Sequence, residues 1–278
     1  MKKETVSRPK RYTIKEIAQA CGVSTATVSY VLNDVKNQSI SEATRNRVLH
    51  YAHLVGYVSS GSARALATGR TNTVGFYVPH GEKSLGKQRL CQALTRELES
   101  RGLRAVMLTD RCLAARVTDV DAVFAIDISD GEFRRLGNNC FVPLLNLDAS
   151  IDDILYYNFC FDAPELIRRA TEQTGCAHAA LICGTPHSRG YADYLRRAFG
   201  EILPPETALT GPFRDNTVYL TTEPLVHAAL AAGKVPCLRM GWEEFPLPFE
   251  RYASQTVQTA LAAIERINPP ENHNIRIL

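Results

Sequence analysis

From residue 73 onward the chain repeats one pattern, a short apolar run followed by a stretch with helical spacing, and this alternation constrains the fold more than any other feature. Thr73-Val74-Gly75-Phe76-Tyr77-Val78 is the first run, and residues 105–108, 121–126, 142–147 and 179–183 repeat it. Each has strand length and is mostly apolar. Residues 85–101, 165–174 and 188–199 lie between them and carry apolar side chains at helical spacing. Strands alternating with helices predict an α/β core built on parallel sheet with helices on both faces. A last helix over residues 253–267 precedes Pro269-Pro270 and a strand near residues 275–278.

The first 58 residues have a different texture. Residues 1–11 are polar and basic and read as an arm. Thr13-Ile14-Lys15-Glu16 fits a capping box, in which a hydroxyl cap is followed three residues later by Glu. Ile14, Ile17 and Ala18 then form an apolar face, and Cys21-Gly22-Val23 interrupts it where Gly22 can take the left-handed conformation of a tight turn. Ser24 caps a second helix over residues 25–33, and Ser41 caps a third that runs to about Val55. Helices this short are not stable alone. They must share one small core, expected from Ile14, Ile17, Val23, Val28, Val31, Ile40, Val48 and Ala52. Three short helices with a glycine turn between the first two predict a helix-turn-helix unit.

Charge divides at the same place. Residues 1–70 carry a net charge of +7 and the remainder −4. A basic N-terminal unit on a mildly acidic body points to a polyanionic partner for the first part. With 45% hydrophobic residues the chain can bury a sizeable core, and no apolar run reaches the length of a membrane helix. No apolar run follows the basic N-terminus, so a secretory signal is not expected. The eight cysteines are scattered without a C-x-x-C pair, and the seven histidines show no H-x-x-x-H spacing. Neither a metal site nor a cofactor is expected, and idle thiols suit a reducing cytoplasm. No G-x-S-x-G, P-loop or paired-carboxylate constellation suggests an enzyme, and no catalytic residue is assigned.

Val23-Ser24-Thr25-Ala26-Thr27-Val28-Ser29-Tyr30-Val31-Leu32-Asn33 closely resembles the V-S-x-x-T-V-S-x-V-L-N signature of lac-repressor-like (LacI/GalR) regulators. The likeness continues through Ile40-Ser41, Thr44-Arg45, Val48, Gly56-Tyr57 and Ser62-Ala63-Arg64-Ala65-Leu66 to Val74-Gly75. The resemblance implies a regulator of three parts: a headpiece over residues 1–58, a hinge over 59–72, and a core over 73–278 made of two interleaved subdomains similar to periplasmic binding proteins. It also implies a homodimer on double-stranded DNA at a palindromic operator, working in the cytoplasm at the nucleoid.

For the major groove the expected residues are Thr13, Ser24, Thr25, Ala26, Thr27, Ser29, Tyr30 and Asn33. Thr25, Ala26, Ser29 and Tyr30 are the candidates for base edges, with Ser24 and Thr27 nearer phosphate or cap. Tyr30 stands where many members of the family carry Arg. For the hinge, Ser62, Ala63, Arg64 and Leu66 resemble the segment that folds over the minor groove, with Leu66 as the wedge. Ser59-Ser60 stands where the family usually has Pro-Asn, which predicts a looser hinge.

The core resembles the family less closely. Arg189, Tyr191, Thr222, Glu223, Trp242 and Glu243 fall at or near the family's ligand positions while differing from its usual residues. The short spans before residue 121 and before Val218 imply that two crossover helices are reduced or absent. Two readings stay open. In one the pocket takes a small-molecule effector such as a sugar or sugar derivative. In the other the pocket is remodelled or vestigial, and the chain is a regulator or architectural protein without a sugar effector.

Overall fold

The computed structural model describes residues 12–32, 35, 38–55, 70–79, 84–151, 157–265 and 274–277. The chain divides into two compact units, Met1–Gly69 and Arg70–Leu278.

The first unit holds α1 (Ile14–Cys21), α2 (Thr25–Leu32) and α3 (Glu42–Leu54). Thr13 Oγ1 accepts from Glu16 N–H at 3.3 Å while Glu16 Oε2 accepts from Thr13 N–H at 2.8 Å, so the capping box is present. Gly22 ends α1 at φ 65°, where a side chain would be strained. Ser24 Oγ and Ser41 Oγ accept from Thr27 N–H and Thr44 N–H at 3.0 and 3.3 Å, which starts the next two helices. Ile17, Ala18, Cys21, Val28, Val31, Val48 and Ala52 form the core. Ile14, Val23 and Ile40 sit at its edge, partly buried. Arg47 Nη1 donates to the Cys21 carbonyl at 3.4 Å and ties α3 to the end of α1.

The second unit has two lobes, each a parallel sheet. Lobe one orders its strands β10-β5-β4-β3-β1-β2, from β1 (Thr73–Tyr77), β2 (Arg104–Met107), β3 (Ala122–Ile126), β4 (Leu144–Leu147), β5 (Tyr157–Phe161) and β10 (Asn274–Ile277). Lobe two orders β7-β6-β8-β9, from β6 (His178–Ile182), β7 (Ile202–Leu203), β8 (Thr217–Thr221) and β9 (Cys237–Arg239). One face of the first sheet packs on α4 (Leu85–Ser100) and α10 (Phe249–Ile264), through Leu90, Leu94, Leu98, Tyr252 and Val257. Its other face is covered by Phe133 and Leu136 of α5 (Asp130–Asn139) and by Cys112, Val117 and Val120. Lobe two carries α6 (Ala163–Thr174), α7 (Arg189–Phe199), α8 (Thr207–Thr210) and α9 (Pro224–Ala232). The chain passes into lobe two after β5 and returns before α10, so the lobes are interleaved in sequence.

The crossover from β2 to β3 is a single 3-10 turn, Asp110–Leu113, and α8 is four residues long. Several elements fall outside the sequence reading, among them β5, β7, β9, α5, α8 and α9. Asn158 interrupts the apolar residues of β5, and the apolar face of α5 rests on Phe133 and Leu136 alone. In the fold Asn158 is paired on both sides. Asn146 and Asn274 stand opposite it in register, each joined to it by a side-chain hydrogen bond of 3.0 Å. Such a ladder forms only when three strands are assembled, and Asn146 Oδ1 is left without a partner among the described residues.

Candidate functional site

The headpiece presents one polar face. Thr25, Ala26, Ser29 and Tyr30 lie one, four and five positions apart on α2 and so share a side of the helix. Thr25, Ala26 and Tyr30 are exposed, with 37% of Tyr30 accessible, and Ser29 is half-buried. Val28 and Val31, on the opposite side, are buried. Ser24 Oγ and Thr27 Oγ1 hydrogen-bond each other at 2.9 Å, which holds both at the helix cap. Thr13 is exposed at the cap of α1. Asn33 and the hinge residues Ser62, Ala63, Arg64 and Leu66 lie outside the described residues.

The second candidate lies between the lobes. In parallel sheets the carboxyl ends of the strands open onto one crevice. Here Asp127 follows β3, Asp148 follows β4, Cys183-Gly184 follow β6, Thr222-Glu223 follow β8 and Met240 follows β9. They meet the start of α4, Ser84 to Lys87, around a cavity of about 130 Å³. Asp127 is fully buried at its edge and joins the lobes. Its carboxylate pairs with the Lys87 ammonium of lobe one. From lobe two it accepts His187 N–H at 2.9 Å and Ser188 N–H at 3.2 Å, and His187 Nδ1 lies 3.1 Å from its second oxygen.

Further contacts hold the crevice shut. Glu223 Oε1 accepts from Leu85 N–H at 3.3 Å and from Thr222 Oγ1 at 3.1 Å. Ser188 Oγ accepts from Ser150 N–H at 3.2 Å. The Ser150 carbonyl comes so close to Gly190 that a Cβ there would lie 2.0 Å from it. The Arg89 guanidinium of lobe one stacks over the Trp242 ring of lobe two, 4.8 Å from its centroid. Burial, then the charge of Asp148, pushes the Tyr191 and Tyr252 phenols well above their ordinary value. Burial likewise pushes the Cys183 thiol up to about 12, so at neutral pH it is a protonated thiol and not a nucleophile.

Of the residues expected at a ligand site, the fold brings Tyr191, Thr222 and Glu223 to the cavity and leaves Arg189, Trp242 and Glu243 outside its lining. Arg189 is the first residue of α7 and exposed; two residues later the helix has rotated Tyr191 inward. The turn after β9 closes with Gly241 N–H on the Phe245 carbonyl at 2.8 Å, burying Phe245 and leaving Glu243 exposed. Trp242 is held between Arg89 and Arg239, the latter 3.9 Å from its centroid. Sequence reasoning missed Lys87, Asp127 and Asp148. The legible signal for the two aspartates was their position at the ends of apolar strand runs.

Residues 13–60 match the family described as bacterial regulatory proteins, lacI family. The sucrose operon repressor of Klebsiella pneumoniae is 30% identical over 239 residues, which cover 76% of this chain and 69% of that protein. The chain belongs to the LacI family of transcriptional regulators. The match to the repressor PurR of Photobacterium profundum is 42% identical but spans only 66 residues, 24% of this chain and 19% of that one. Among solved structures, the lac repressor dimer bound to operator and an anti-inducer superposes with a TM-score of 0.64 over 96% of both chains at 16% identity. At that identity the likeness carries the fold alone: three N-terminal helices and two parallel-sheet lobes. Similarity within the LacI family is thus concentrated in the headpiece.

Proposed function

We propose that this LacI-family chain is a repressor that binds a palindromic operator as a homodimer through α2 and responds to a small molecule in the crevice between its lobes. The observation that carries the reading is the exposed face of α2, with Thr25, Ala26 and Tyr30 free of the headpiece core, on a unit of net positive charge. Major-groove readers present the start of the second helix in this way. Ser62 to Leu66 act as the hinge over the minor groove in this reading. A second copy is supported by β2, an edge strand whose Val106 and Met107 are exposed, Met107 to 62%. An open apolar edge invites pairing or coverage.

The test is binding of the intact protein to the sequence it selects from random duplexes. We expect a palindrome and a much weaker affinity for scrambled DNA. The log–log salt slope should be about −0.9 for each phosphate neutralised. Equal affinity for both duplexes at physiological salt overturns the reading. Adding cell metabolites to the operator complex tests the sensor half, which fails if none alters affinity.

Tyr30→Arg gives a finer check of α2. A guanidinium at this position can make a bidentate contact to guanine, which a phenol cannot, and such a pair discriminates by about 1–3 kcal/mol. The selected site should shift toward guanine at one symmetric position in each half-site. An unchanged site preference would remove Tyr30 from the base edges.

The crevice also favours the remodelled-pocket alternative over a sugar pocket like those implied by the family. Ligand pockets usually enclose about 300–1,000 Å³, and this cavity is smaller. Among its described lining residues none is an arginine, and the expected Trp242 is outside it.

A further inference from the structure

We propose that the crevice takes a small molecule with an apolar body and a single amine head, and not a sugar. The inference rests on the sensor reading above and specifies its ligand.

The first argument is the floor of the cavity. Phe161, Leu166, Leu181, Leu195, Met240 and Phe249 line it, contributed by β5, α6, β6, α7, the segment after β9, and α10. Both lobes therefore supply apolar surface to the same space. A sugar carries hydroxyls around its whole rim, and each one buried without a partner is unfavourable. A floor made of aliphatic and aromatic carbon offers these hydroxyls nothing. The same floor stabilises a hydrocarbon body by removing its methylenes from water.

The second argument is the mouth. Among the described lining residues three carboxylates, Asp127, Asp148 and Glu223, stand with one ammonium, Lys87. Lys87 is engaged with Asp127. The hydrogen bonds to Glu223 come from two neutral donors, the Leu85 amide and the Thr222 hydroxyl. A cationic head is drawn to this mouth, and a carboxylate or phosphate head is repelled. The carboxylates and the apolar side chains line one cavity, so a ligand in it meets both at once. A ligand so placed touches α4 and the Thr222-Glu223 segment after β8, and it biases the protein by binding one arrangement of the lobes more tightly than another.

Calorimetry on the intact protein tests this with matched probes: 2-phenylethylamine and n-hexylamine, the anions phenylacetate and hexanoate with similar bodies, and glucose and sucrose. We expect both amines to bind at least tenfold more tightly than their carboxylate counterparts, with no binding by either sugar. Glu223→Gln, which keeps the shape and removes the charge, should weaken amine binding about tenfold while leaving any binding of the anions no weaker. If that variant does not fold, the amine-against-carboxylate comparison in the wild type decides alone. Sugar binding without amine binding overturns the ligand class and leaves the sensor reading standing. Equal affinity of amines and carboxylates, or no binding by any amine, also overturns the proposal. In the last case the metabolite titration of the operator complex decides separately whether the crevice senses anything.

Discussion

Replacing Ile17 with Ala unfolds the headpiece and abolishes operator binding while the second unit melts as before. Ile17 is fully buried at the centre of a core of seven buried residues. Removing an isoleucine to alanine in a core costs about 2–5 kcal/mol. A unit this small has little more than that to lose. The second unit holds its own hydrophobic clusters, and distant sites add independently. Calorimetry and DNA titration on the same protein check both halves. A variant that still binds operator within threefold of wild type would mean that the hydrophobic core of Ile17, Val28 and Val48 is not what positions α2.

Asp127→Ala should be the most damaging single change at the crevice. It removes the partner of the Lys87 ammonium and the acceptor for two lobe-two amides. Breaking a buried ion pair from one side costs about 3–5 kcal/mol. Lys87 retains 19% side-chain exposure, which pulls the figure toward the lower end. Asp127 also sits at φ 45°, a conformation that asparagine tolerates and alanine does not, worth roughly 1–2 kcal/mol more. Asp127→Asn keeps the backbone preference and one acceptor oxygen for the amides, so it should lose less than half as much. Urea denaturation of the three proteins gives the comparison through their midpoints. If the alanine variant lies within about 1 kcal/mol of wild type, Asp127 does not hold the lobes together.

The headpiece was almost fully legible in the sequence because its determinants are local. A cap, a glycine turn and apolar positions three and four apart specify α1 and α2 without reference to anything distant. The parallel sheets were legible for a similar reason: most of their central strands are buried and show as apolar runs between helical stretches. Asn158 shows where this fails. A buried asparagine inside a strand looks like an interruption until Asn146 and Asn274, 12 and 116 residues away, are beside it. The expected ligand residues divide: Tyr191, Thr222 and Glu223 line the cavity, and Arg189, Trp242 and Glu243 do not. Arg189 and Tyr191 are two positions apart, yet only one helix face meets the cavity. Glu243 was placed by its neighbours in sequence, and a turn of a few residues carried it outward.

The sequence by itself determined the two-part organisation, the helix-turn-helix and the exposed face of its second helix, and the α/β class of the core, since each depends on periodicity, capping and charge within a short window. Only the tertiary structure decided what the crevice is made of. Asp127 and His187 are 60 residues apart, and Leu85 and Glu223 are 138 apart. Their contacts exist because parallel strands from two separate sheets end on the same side, and no local pattern encodes that convergence.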